Sequence, residues 1–137
     1  MGEHARAYFA LSFMMEQSIP LLYTGQEAGI EYRFPFFSKD TVGVDWAANN
    51  DHADFYAALF EVKHEHPALW NGKYGAAMEL VVDTASGSAM ISREVPGEDR
   101  VVGVFNFNGQ ASSFTAPEGL DLVAEAKGAK IYASKLD

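Results

Sequence analysis

The sequence predicts an α+β chain in two parts. Residues 1–72 read as a helix–strand–helix piece, and residues 73–137 read as an all-β region. Three observations predict this. Before Pro67 the apolar residues fall at helical spacings or in one short run. After Gly72 they alternate with polar residues, the signature of half-buried strands. Nothing but strands follows the second helix, and a lone helix–strand–helix piece cannot build a parallel sheet by itself. The first part therefore reads as the end of a larger α/β array.

Residues 3–17, EHARAYFALSFMMEQ, are good helix formers without Gly or Pro. This helix is apolar nearly all round, so burial on most sides is expected. Ile19 to Tyr23 reads as a short buried strand, apolar on both faces as in a central parallel strand. A loop of more than twenty residues, Thr24 to about Asn50, follows. Loops of that length usually carry function, or are evidence that something is missing. A second helix is expected over about 51–66, capped by Asn50 or Asp51. Its apolar stripe is Phe55, Ala58, Leu59 and Val62, and Pro67 stops it.

Beyond Gly72 the expected strands are MELVVD, SAMISREV and RVVGVFNF, separated by TASG and PGED turns. Asn108-Gly109 is a type I′ hairpin signal, with QASSFTA as the return strand. Shorter strands near 120–125 and 129–134 complete an antiparallel meander or sandwich. Val101, Phe105 and Phe107 are expected on one face, in the core. Trp70 and Tyr74 are expected to pack at the junction of the two parts.

The chain has 137 residues, is 48% hydrophobic and carries a net charge of −9. Such a composition supports a packed core. The charge argues against nucleic-acid binding and against an anionic membrane surface, and is compatible with neutral ligands such as sugars. With no cysteine there is no disulfide, zinc–thiolate site or thiol nucleophile, while the compartment is left open. No apolar run reaches membrane-spanning length. No signal peptide is expected at the N-terminus, though a longer parent would have room for one upstream.

The stretch SIPLLYTGQE, residues 18–27, resembles the last barrel-strand motif of the α-amylase superfamily, glycoside hydrolase family thirteen. There the pattern runs Gly-x-Pro-x-x-Tyr-x-Gly, then an acid or amide, then Glu. Pro20, Tyr23, Gly25, Gln26 and Glu27 match it, and Ser18 stands at the first Gly. FPFFSKDTVGVDW resembles the loop after that strand, FYAALFEVKHEHPALWNG the eighth barrel helix, and EHARAYFALSFMM the seventh. The resemblance implies the terminal helix–strand–helix portion of a (β/α)8 barrel followed by an antiparallel β-sandwich, domain C. It also implies a parent hydrolase acting on α-glucans such as starch and malto-oligosaccharides. Gln26 and Glu27 would then stand on the active-site face of the barrel.

Retaining hydrolysis needs two carboxylates about 5–5.5 Å apart. In the family these and a third, stabilising Asp come from strands upstream of this piece. The third sits in an Asn-His-Asp motif, which this sequence lacks; Asn50-Asp51-His52 does not replace it. No catalytic residue, cofactor or metal ligand is assigned, and the piece alone is expected to be inactive. Pro20, Tyr23, Gly25, Gln26 and Glu27 form the barrel-rim motif, with Glu27 organising hydrogen bonds rather than catalysing. Asp40 and Asp45 are read as loop caps. Candidate sugar contacts are Arg33, Phe34, Phe36, Phe37 and Trp46. His64-Glu65-His66 is read as a solvated helix end, since residues two apart point to different faces. The expected partners are an α-glucan for the parent and a second copy for the piece, as a homodimer or swapped oligomer that covers apolar faces left open, the alternative being disorder before residue 50. A non-catalytic carbohydrate-binding or scaffold module is the alternative reading.

Overall fold

A computed structural model describes residues 2–37, 43, 45–47 and 50–136. Two helices, α1 (Ala5–Met14) and α2 (Asn50–Glu65), precede five strands: β1 (Met78–Asp83), β2 (Ser88–Val95), β3 (Asp99–Asn106), β4 (Asp121–Ala126) and β5 (Ala129–Ala133). Short 3₁₀ turns lie at Gly2–His4, Pro67–Leu69 and Gly72–Tyr74. The fold is α+β, with both helices against one antiparallel sheet of order β1-β2-β3-β5-β4.

Helix α1 is shorter than expected at both ends. The chain is already extended at Met15 and takes a positive φ of 60° at Gln17. The reason is tertiary. The Gln17 amide donates to the Gly72 carbonyl at 3.2 Å and accepts the Gly72 N–H at 2.8 Å. Nearby, Glu16 accepts the Met78 N–H and Asn71 donates to the Ser18 carbonyl. These bonds tie the end of α1 to the approach to β1 and outweigh another turn of helix.

Ile19 to Tyr23 departs from expectation more sharply. It is not a strand, and Ile19, Leu21 and Tyr23 are 84%, 79% and 61% exposed. A parallel strand needs neighbours on both edges and helices on both faces. Among the described residues no strand lies beside this segment.

The β region follows its pattern closely. β1 and β2 span the expected residues, and Met90 opposes Val104 while Ile91 opposes Gly103. One face holds Ile91, Val101, Phe105, Ala129 and Ile131 against Phe9, Phe13 and Met14 of α1 and Leu59 of α2. This buried cluster draws on residues from both sides of position 72. Gly103 lets α1 approach closely, because a Cβ there would lie 3.0 Å from Met14 Cγ and 2.6 Å from Phe105 Cε2.

QASSFTA does not form the return strand. The β3 edge it would need is occupied by β5, with Phe105 opposite Ala129. The Asn side chains redirect the chain instead. Asn106 donates to the Ser86 carbonyl and to Ser88 Oγ, and its oxygen accepts the Asn108 N–H. Phe107 lies just past β3 and stacks on Tyr8 at 4.4 Å between ring centres.

Candidate functional site

Gly25 begins the turn that follows the apolar segment. Its φ of 91° is a left-handed-side conformation open to glycine, and a Cβ would meet Ile30 Cδ1 at 2.8 Å. The backbone closes on itself, with the Gln26 N–H donating to Tyr23, Ala28 and Ile30 to Gly25, and Gly29 to Gln26. Two side chains complete the turn. Gln26 Oε1 accepts the Tyr23 N–H at 2.6 Å, and Glu27 Oε2 accepts the Gly25 N–H at 3.0 Å. Both therefore cap the turn they belong to, and Gln26 also lines a cleft of about 780 Å³.

Several parts of the chain line this cleft, Glu3 and Lys127 from the first 3₁₀ turn and the β4–β5 turn among them. The turn at Gly25 supplies Gln26, the segment after it Arg33, α1 Arg6, and α2 His52 and Tyr56. Arg6 lies over the Phe55 ring at 5.7 Å from its centre. Tyr56 is only 3% exposed, and Phe9 packs edge-on against its ring at 4.8 Å. Burial pushes the Tyr56 phenol above its ordinary range; Arg6 opposes the shift and Glu27 adds to it. The phenol therefore stays protonated and can donate. Amide, guanidinium, imidazole and phenol together present donors and acceptors in planar groups.

Of the sequence-predicted residues, Gln26 and Arg33 share this cleft. Pro20 lies beside it in an apolar notch with Ile19, Leu21 and Tyr8. Tyr23 points to solvent and meets Phe34 edge-on at 6.4 Å. Phe36 and Phe37 pack on one another at 4.7 Å, yet are 90% and 95% exposed and do not line the cleft. Trp46 is 55% exposed. Asp45 accepts the Ala47 N–H, and Asp40 lies outside the described residues. The side chain of Asn50, an expected cap, is also outside them.

The reading of His64-Glu65-His66 needs correction at its last residue. His66 is buried, and its Nδ1–H donates to Asp99 Oδ1 at 2.7 Å. Asp99 also accepts the Ala68 N–H at 2.8 Å and the Ser134 hydroxyl at 2.7 Å. The chain has left the helix at His66, so helical geometry no longer aims the ring outward. Tyr74 also differs from expectation: it is 65% exposed rather than packed. Trp70 is partly exposed and donates through its indole N–H to the His64 carbonyl.

Arg6, His52 and Tyr56 were not singled out by sequence reasoning. Tyr56 falls next to Phe55 on the apolar stripe and looks like core, and only the meeting of α1 with α2 makes it part of a cleft wall. No group of three or more His, Asp or Glu side chains suited to a metal occurs among the described residues, and none of their helices is long and apolar enough to cross a membrane. No protein-family model, curated protein or solved structure matches the chain.

Proposed function

We propose that this chain is the C-terminal part of an α-amylase-like glycoside hydrolase acting on α-glucans such as starch and malto-oligosaccharides. One observation carries the reading. The motif Pro20, Tyr23, Gly25, Gln26, Glu27 ends an apolar segment and folds into a self-capped turn whose Gln26 stands in a cleft with Arg33 and Tyr56. The exposed Ile19, Leu21 and Tyr23 are consistent with a last barrel strand whose partner strands belong to the parent. The domain-C sandwich has support in residues 109–120, where Phe114 and Leu120 pack on Val102, Val104 and Tyr132 across the outer face of the sheet.

In this reading the parent's upstream strands supply the nucleophile, the acid and the stabilising Asp. This chain contributes hydroxyl-binding groups at the rim: the Gln26 amide, the Arg33 guanidinium and the Tyr56 phenol. The chain alone binds weakly and does not turn over. The experiment is to read the coding sequence upstream of Met1 and express the extended product. The expected result is an open frame with Asn-His-Asp shortly before Gly2, and hydrolysis of maltoheptaose with retained anomeric configuration. Hydrolysis by the 137-residue chain itself, or an upstream frame without the carboxylate motifs, overturns the proposal. Phe36 and Phe37, adjacent and nearly fully exposed, favour the second reading, a non-catalytic glucan-binding module. That module is recognised by saturable starch binding that Phe36→Ala and Phe37→Ala abolish, with no hydrolysis in the extended product.

A further inference from the structure

On the sheet face away from the helices, a second cleft of about 750 Å³ lies between the strands and residues 109–116. Apart from Lys127 it shares no lining residue with the cleft at Gln26. We propose that this cleft binds a neutral sugar, a glucose unit of an oligosaccharide, through Tyr132, Gln110 and Phe114. The identification of the sugar as glucose rests on the α-glucan reading above; the chemistry of the cleft does not.

Tyr132 is the first observation. Its ring is packed among Val102, Val104 and Phe114 and the residue is only 8% exposed, yet its hydroxyl, bonded to no side chain or backbone group among the described residues, is not a buried orphan and keeps access to solvent. A hydroxyl held open on a packed ring is free to donate to and accept from a ligand. The open side of the residue is the cleft. The Gln110 amide lines the same space and is likewise without a side-chain partner among the described residues. Each of these groups both donates and accepts, which is what a sugar hydroxyl requires. Val104 and Phe114 supply apolar surface for the C–H face of a pyranose ring.

Charge selects the ligand class. The cleft's lysines are paired, Lys130 with Glu125 at 3.4 Å and Lys127 with Glu3 at 2.6 Å. Among the described residues no unpaired lysine or arginine lines it, and His4, which does, bonds the Lys127 carbonyl, so an anion finds little to hold it and approaches a chain of net charge −9. A divalent cation needs several converging oxygens, and Glu125 is the only carboxylate lining the cleft among the described residues. The volume lies within the range of small-ligand sites, about 300–1,000 Å³.

The test is a titration of the 137-residue chain with maltotriose, followed by amide chemical shifts. Saturable shifts at Gln110, Phe114 and Tyr132 are expected. Tyr132→Phe keeps the ring and removes one hydroxyl, so it should keep the thermal midpoint while weakening binding roughly tenfold. Gln110→Ala, at an exposed loop position, should weaken it similarly. Shifts confined to Gln26 and Arg33, unchanged affinity in Tyr132→Phe, or displacement of the sugar by inorganic phosphate would each overturn the inference. The two proposals fail separately. An upstream frame without carboxylate motifs, with maltotriose still shifting Tyr132, removes the hydrolase reading and keeps the cleft. A hydrolytic parent with no response at Tyr132 does the reverse.

Discussion

His66 donates a hydrogen bond to Asp99 at 2.7 Å, linking the chain just past α2 to the first residue of β3, with both side chains buried. Asp99 also holds the Ala68 N–H and the Ser134 hydroxyl, so one carboxylate joins three separate segments. Replacing it with Ala leaves the imidazole, amide and hydroxyl donors without their acceptor. Asp99→Ala should lower unfolding free energy by about 3 kcal/mol. Urea unfolding measures this, and a loss below about 1 kcal/mol would remove the hub from the account of stability.

The same carboxylate sets a pH dependence. Burial alone pushes the Asp99 carboxyl up, but the hydrogen bonds from His66, the Ala68 N–H and Ser134 outweigh it and hold it below its ordinary value. In the window between the folded and unfolded values the unfolded chain binds the extra proton, so stability rises with pH. The contribution is present above the ordinary carboxylate range, about 4, and fades as pH falls through the lower folded value. Asp99→Asn should flatten this acid limb in urea midpoints recorded against pH. A limb of unchanged slope would assign it to other carboxylates.

Arg93 is completely buried and donates to the carbonyls of Ala76 at 2.7 Å, Met14 and Met15 at 3.3 Å, and Trp70 at 3.4 Å. Its planar fork spans the end of α1, the junction and β2. Arg93→Ala should cost about 3 kcal/mol or more by leaving buried carbonyls unpaired. Arg93→Lys should recover only part of that, because an ammonium cannot reproduce the fork. Equal stability for Lys and Arg in denaturant titrations would refute a geometric role.

Gly25 carries the turn at the candidate cleft. Gly25→Ala places a Cβ against Ile30 at a positive φ and should cost about 1–3 kcal/mol. The damage should be local: amide shifts at Tyr23, Gln26 and Ile30 move while those of β2 and β3 stay. Uniform shifts across the sheet would contradict this.

Self-association is the remaining expectation. Ile19, Leu21 and Tyr23 present apolar side chains to solvent in succession along one segment. The proposal of a fragment predicts a concentration-dependent dimer in sedimentation velocity. The double substitution Ile19→Ser and Leu21→Ser should shift it toward monomer. A wild-type chain that stays monomeric across the accessible concentration range rejects the prediction.

Local pattern by itself determined the strand bounds of β1 and β2, the turns between the first three strands, and that both helices form, though not where α1 ends. Each of these depends on near neighbours: a 3.6 or a 2.0 periodicity, and turn residues such as Asp83, whose carboxylate accepts the Ala85 N–H and the Ser86 hydroxyl. The turn at Gly25 is also local, since Gln26 accepts the Tyr23 N–H and Glu27 the Gly25 N–H within a few residues. What only the tertiary structure decided involves groups far apart in the chain. β5 takes the edge of β3 that the NG signal had offered to its nearest neighbour. Gln17 ends α1 by reaching Gly72, and His66 turns inward because Asp99 is there to receive it. Ile19 to Tyr23 has strand composition but is not a strand, since among the described residues none lies beside it and a strand's stability resides in its partners. The cleft at Tyr56 likewise forms where α1, α2 and the turn at Gly25 meet.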